Sequence, residues 1–523
     1  MKLLRNSGIL LHPVSLPSTP GIGTIGKAAF DFVDWLSASG IGLWQVLPLG
    51  PTGYGDSPYQ SFSTFALNPL LIDFDDLADR GWALKEDIEV PDYIKYDGNI
   101  DYGSVVWWKT AALKNITSKV EKISPDFKKA FNSFCKQNSF WLDDYASFRS
   151  IKSHYDHKGM WNKAWPKELR NHEKEAVEKW NSQHKDEIHN TKVTQFFAFT
   201  QWNALHEYAS AKNVEIIGDI PIFVSSDSAD VWANQKYFQL NASGVPKAVA
   251  GVPPDYFSPT GQLWGNPLYD WKKLEEDNFS WWVLRVKQML KLTDYVRIDH
   301  FRGFDAYWSV KNGEKTAEKG KWVKGPGIAL FNQIKKELGD LPLIAEDLGE
   351  ITDSVRALRD KTGLPGMKIL QFGFDTAERT SGGLKNGFLP HTYKDSNCVA
   401  YTGTHDNDTT QGSLNAMNDD CLSLVASYLK GRFVSADEAR SMRTSGELCR
   451  GLVSLCYSSV ADFAIVPLQD LFCFGSDCRM NNPGTSTANW SWRMRSDLLY
   501  GDEGVRAGMW LKEMNILYNR NAK

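Results

Sequence analysis

Apolar, β-branched runs recur along the chain at 8–11, 42–48, 214–224, 295–298, 341–345, 367–374, 398–402 and 462–468. Each is short and bounded by turn-forming residues, which is the pattern of buried strands. Segments with helical periodicity, such as 28–39 and 281–292, separate most of them. Eight strand-like runs alternating with helices predict an α/β fold, a (β/α)8 TIM barrel, as one domain spanning 1–523. The spacing is uneven in one informative place. The second and third runs lie much further apart than a crossover helix requires, so an inserted, mainly helical subdomain is expected over about 56–191. A smaller insertion, over about 232–278, separates the third run from the fourth. Phe196, Phe199, Trp202, Leu205 and Ala209 recur at helical intervals and predict a helix facing the core. The Lys-, Glu- and His-rich stretch 171–190 reads instead as a solvated helical surface.

Charge narrows the function classes. The 523 residues carry 59 Lys+Arg against 63 Asp+Glu, a net of −4, which offers no field suited to nucleic acid or anionic membranes. No stretch approaches the ~18 apolar residues of a membrane span, and the run after Lys2 and Arg5 is too short for a signal-peptide core. A soluble cytoplasmic protein is expected, or a plastid one from which a transit peptide has been removed. Seven cysteines without a C-x-x-C pair read as reduced thiols. Five of the ten histidines fall between His154 and His189 with no Cys among them, so no metal site is expected there. The 20 Trp, 19 Tyr and 27 Phe exceed what a core requires and lean toward a carbohydrate ligand, whose ring faces suit flat amphipathic side chains.

Three strings carry the candidate chemistry, each closing an apolar run: Arg297-Ile298-Asp299, Glu346 with Asp347, and His405-Asp406-Asn407. A barrel strand that ends on a carboxylate delivers it to the C-terminal mouth. Period-two geometry puts Arg297 and Asp299 on one face, where the guanidinium would keep Asp299 ionised; a buried ion pair that only ties strands together fits the same spacing. Glu346 follows so apolar a run that desolvation would raise its carboxyl toward the range of a general acid, although a helix-start carboxylate reads similarly. Asp347 should point away from it. Two carboxylates of opposite protonation are what glycosyl transfer needs. The Gly-rich loop 50–60 and the string 251–266, with Pro253-Pro254 and Tyr256-Phe257, look like substrate-contacting loops.

Together these strings resemble the amylomaltases, the 4-α-glucanotransferases or disproportionating enzymes of glycoside hydrolase family 77. The resemblance runs from Gly8 to about Asp408 through 44–53, 55–60, 218–223, 251–271, 295–303, 345–349 and 402–408, in family order. It implies that Asp299 is the nucleophile, Glu346 the general acid/base and Asp406 the transition-state stabiliser. Asp219, Arg297 and His405 would support the sugar at the cleavage point, and Ser57 and Tyr59 would contact the donor. Tyr256 and Phe257 would form a lid near acceptor sugars, with Trp264 a further substrate contact in the same string. The implied reaction is a retaining transfer between α-1,4-glucans or maltooligosaccharides, with glucose as an acceptor and no cofactor or metal. Neither the Asn-His string of ordinary amylases nor a C-terminal β-sandwich is expected. The rivals are a hydrolase with the same triad and a non-catalytic glucan-binding barrel.

Overall fold

A computed structural model describes residues 3–53, 55–124, 126–254, 258–374, 386–485 and 488–520. Its strands in chain order are β1 (Asn6–Leu10), β2 (Leu43–Gln45), β3 (Glu215–Ile220), β4 (Ala248–Val252), β5 (Gln262–Pro267), β6 (Tyr295–Ile298), β7 (Ala306–Lys311), β8 (Gly320–Lys324), β9 (Leu343–Ala345), β10 (Gly366–Ile369), β11 (Cys398–Tyr401) and β12 (Phe463–Pro467). Eight of them, β1, β2, β3, β6, β9, β10, β11 and β12, close into an all-parallel barrel. They coincide with the eight apolar runs. The structure is a (β/α)8 TIM barrel, sealed where β1 pairs with β12 in the register Asn6↔Phe463. Its strands are buried along almost their whole length, as strands covered on both faces must be.

Between β2 and β3 lie the helices Phe74–Asp79, Tyr102–Ile123, Phe127–Tyr155, Lys174–Gln183 and Lys185–Ala211. The first two begin where Asp73 and Asp101 accept the free first-turn amides. Phe196, Phe199, Trp202, Leu205 and Ala209 of the last helix are all buried. Around them pack Trp82, Phe127, Phe131, Phe134 and Phe197, ring against ring. This corrects the reading of the aromatic surplus. Fourteen of the 20 Trp are buried, so most of the excess fills the cores of the barrel and its insertion rather than a sugar-binding surface.

The segment between β3 and β6 holds β4 and β5, and these join β7 and β8 in an antiparallel sheet of order β5-β4-β7-β8. A second excursion of the chain, after β6, thus completes the sheet that the first one starts. A single 3₁₀ turn, Phe301–Phe304, separates β7 from Asp299, so the sheet flanks the C-terminal mouth of the barrel. At the opposite end Arg520 is fully buried and donates to the carbonyls of Asn6, Tyr457, Ser459, Ala461 and Asp462.

Candidate active site

Neighbouring strands assemble the first part of the site. In the β3–β6 ladder Asp219 lies beside Arg297, and Asp299 is the first residue beyond β6. Arg297, buried, spends its planar fork on both acids: Nη1 donates to Asp219 Oδ2 at 2.6 Å and Nη2 to Asp299 Oδ1 at 2.8 Å. The Tyr59 hydroxyl donates to the same Asp219 oxygen at 2.8 Å. Complete burial pushes Asp219 up to about 6 against the pull of Arg297, and its Oδ1 finds no partner among the described residues. Burial also works against the charge of Arg297, yet Asp219 and Asp299 outweigh it and hold the guanidinium firmly protonated.

Glu346 follows β9 directly. Its Oε2 accepts the His300 N–H at 2.7 Å and its Oε1 the Leu348 N–H at 2.9 Å. His300 can aim its amide there because it adopts a left-handed conformation, φ 53°. Two amide donors favour the carboxylate, but burial, followed by the negative charge of Asp299, pushes Glu346 up to about 8. At neutral pH this carboxyl holds a proton beside an Asp299 that is bound to Arg297. The His300 ring is driven down to about 3 by burial and is neutral. Its Nε2 is buried without a partner among the described residues, and the ring lies edge-on to Trp264 with centroids 4.8 Å apart.

Asp406 comes from the turn after β11. His405, buried, stacks on Tyr59 at 5.1 Å and sets its Nε2 3.4 Å from Asp406 Oδ2. Asn481 Nδ2 donates to Asp406 Oδ1 at 2.6 Å, and Arg479 Nη2 to the Asp406 carbonyl at 2.7 Å. Enclosure in the barrel mouth would raise the Asp406 carboxyl, but His405, Asn481 and the field of Arg297 hold it well below the usual carboxylate range. Asp299, Glu346 and Asp406 thus line one mouth in three electrostatic settings: paired to a guanidinium, holding a proton, and firmly ionised.

A family model described as 4-alpha-glucanotransferase matches residues 11–498. The chain belongs to the 4-alpha-glucanotransferase family. It is 47% identical over 509 residues to the 4-alpha-glucanotransferase of Thermus thermophilus, covering 97% of this chain and 98% of that one. It is 40% identical to the chloroplastic/amyloplastic enzyme of Solanum tuberosum, over 99% of this chain and 86% of that one. Among solved structures, the amylomaltase from Streptococcus agalactiae in complex with acarbose superposes with a TM-score of 0.91 at 38% identity, over 99% of this chain and 100% of that one. The protein is therefore an enzyme of glycosyltransferase type acting on α-glucans.

Against the 4-alpha-glucanotransferase pattern, the structure draws Asp219, Arg297, Asp299, Tyr59, His405 and Asp406 into one bonded network, with Glu346, His300 and Trp264 beside it. Ser57 lies on the loop that presents Tyr59, where its hydroxyl accepts the Tyr59 N–H at 3.3 Å; this bond shapes the loop and does not reach the carboxylates. Tyr256 and Phe257 lie outside the described residues. Asp347 turns from the mouth to Arg359 and the Met367 N–H. Three participants escape the sequence reading: Asn481, Arg479 and Trp490, whose ring centroid is 5.9 Å from those of both Tyr59 and His405 at a left-handed φ of 63°. The one available signal is the Met480-Asn-Asn-Pro-Gly484 string, a turn that follows the last barrel strand. Among the described residues no group of His, Cys, Asp and Glu has metal-holding geometry, and no helix is long and apolar enough to cross a membrane.

Proposed function

We propose that this 4-alpha-glucanotransferase works by a retaining double displacement. Asp299 attacks the anomeric carbon of a bound α-1,4-glucan while Glu346 gives its proton to the departing glycosidic oxygen. The result is a β-glycosyl-enzyme ester and a released reducing-end fragment. Glu346, now ionised, takes the proton of an incoming sugar 4-hydroxyl, which attacks the same carbon and restores the α-bond. Asp406, held ionised by His405 and Asn481, stabilises the positive charge that builds on the ring in both steps. Arg297, bound to one oxygen of Asp299, orients the nucleophile.

The single observation that carries this reading is the opposed setting of Asp299 and Glu346. One acid is bound to a buried guanidinium and its neighbour is driven by burial to keep a proton, which is the division of labour that double displacement requires. The unpartnered buried atoms Asp219 Oδ1 and His300 Nε2 fit hydroxyl groups of the bound sugar. Donors are α-1,4-glucans or maltooligosaccharides, glucose serves as an acceptor, and no cofactor takes part. Trp264 and the Tyr256–Phe257 pair form the acceptor side and exclude water, and the compartment is the cytoplasm or a plastid. Incubation with maltotriose tests the reading. Glucose together with maltooligosaccharides longer than the substrate is expected, whereas glucose and maltose alone would mean that water is the acceptor.

A further inference from the structure

Far from the carboxylates in sequence, two cysteines meet behind the Asp406 turn. Cys449 is buried in the helix Glu447–Ser458, and Cys473 is half-buried just after the short helix Leu468–Leu471. The two share one acceptor: the Cys449 thiol and the Cys473 N–H both reach the Asp470 carbonyl, at 3.4 and 3.3 Å. Arg450 Nη1 stands 3.8 Å from Cys473 Sγ, which also lies 3.8 Å from the Gly446 carbonyl. A Cβ at position 446 would come within 3.3 Å of that sulfur, so the approach depends on glycine. Cys473 itself adopts a left-handed φ of 52°, a conformation that a non-glycine residue keeps only where its surroundings impose it. The neighbouring Cys449 thiol, with Arg450 beside it, draws the Cys473 thiol below its ordinary value, which makes it the nucleophile of the pair.

The pair is wired to the candidate active site. Cys449 Sγ reaches the Asp470 carbonyl at 3.4 Å. The fully buried Asp470 carboxylate accepts from Thr402 Oγ1 at 2.5 Å, Thr410 N at 2.7 Å and Thr410 Oγ1 at 2.7 Å. Thr402 and Thr410 bracket the turn that carries His405 and Asp406.

We propose that Cys449 and Cys473 are a reversible redox pair, closed to a disulfide by a small-molecule disulfide such as oxidised glutathione, and that closing it lowers transfer by displacing the Asp470 anchor of the Asp406 turn. The Cys473 thiolate attacks one sulfur of oxidised glutathione, forming a mixed disulfide and releasing one glutathione thiolate. Cys449 gives up its proton and attacks Cys473 Sγ, so that the protein disulfide forms and the second glutathione leaves. Two thiols are oxidised and one disulfide is reduced. Oxidation removes the thiol that holds the Asp470 carbonyl.

The activity readout rests on the proposed role of Asp406; the chemistry of the pair does not, and the test separates them. The native protein is treated with oxidised glutathione, its linked peptides are mapped by mass spectrometry, and maltotriose transfer is measured before and after dithiothreitol. A Cys449–Cys473 peptide and a loss of transfer of about tenfold, reversed by dithiothreitol, are expected, since small displacements of a catalytic group cost that much or more. Cys473→Ser should keep its transfer rate through the treatment, and Cys449→Ser should stop at one glutathione on Cys473. Absence of the linked peptide, or an equal loss in Cys473→Ser, overturns the redox pair. A linked peptide with unchanged transfer overturns the coupling to Asp406.

Discussion

Arg297 divides one guanidinium between two carboxylates, and the consequence falls on Asp299. As long as the fork is in place the Asp299 carboxyl is held at fixed geometry, so Asn at this position leaves the packing nearly unchanged and removes the attacking oxygen. Asp299→Asn should therefore lower turnover by about 10³-fold or more with an unaltered melting curve; a surviving rate near the parent's would place the nucleophile elsewhere. Glu346→Gln should fail selectively. Donors with good leaving groups need no proton, so their glycosylation should exceed that of maltotriose by at least about tenfold in the variant relative to the parent. The raised Glu346 value also gives a sign for pH dependence: the acid must hold its proton, so kcat/KM should fall as pH rises through about 8. A basic limb that persists in Glu346→Gln would assign that titration to another group. The carboxylates are legible in sequence because each ends an apolar strand, where burial and position follow from the run itself. Asn481 and Trp490 are not, because 476–492 has no periodicity and a left-handed Trp leaves no trace in the residue order.

At the scale of elements, the barrel strands stand out as unbroken apolar runs because both of their faces are covered. The β5-β4-β7-β8 sheet does not stand out. Ala306-Tyr-Trp-Ser-Val-Lys311 and Gly320-Lys-Trp-Val-Lys324 are short and half exposed, and the first of them pairs with β4, on the far side of β6 in sequence. Gly265 and Pro267 make β5 read as a loop. Yet that strand has a fixed task, since it holds Trp264 edge-on to His300 beside Glu346. If Trp264 binds the acceptor and excludes water, Trp264→Ala should raise the ratio of hydrolysis to transfer on maltooligosaccharides by about tenfold or more. Equal losses in both rates would leave the strand a supporting role only.

At the scale of the whole molecule, one side chain closes the base. Arg520 donates to five backbone carbonyls, and Arg5 adds bonds to two of them, Ser459 and Ala461, and to Tyr518. Arg520→Met should cost about 3 kcal/mol or more, read as a lower denaturation midpoint with kcat unchanged below it, and Lys should rescue little because a single ammonium cannot reproduce the fork. The closing seam reaches further than stability. β1 leaves the ribosome more than four hundred residues before its partner β12, as the register Asn6↔Phe463 records. At about 5–20 residues per second, β1 therefore waits tens of seconds with one edge unpaired. For that interval the nascent chain carries an apolar strand edge open to any neighbour, and its yield in a cell depends on what shields β1 until β12 arrives.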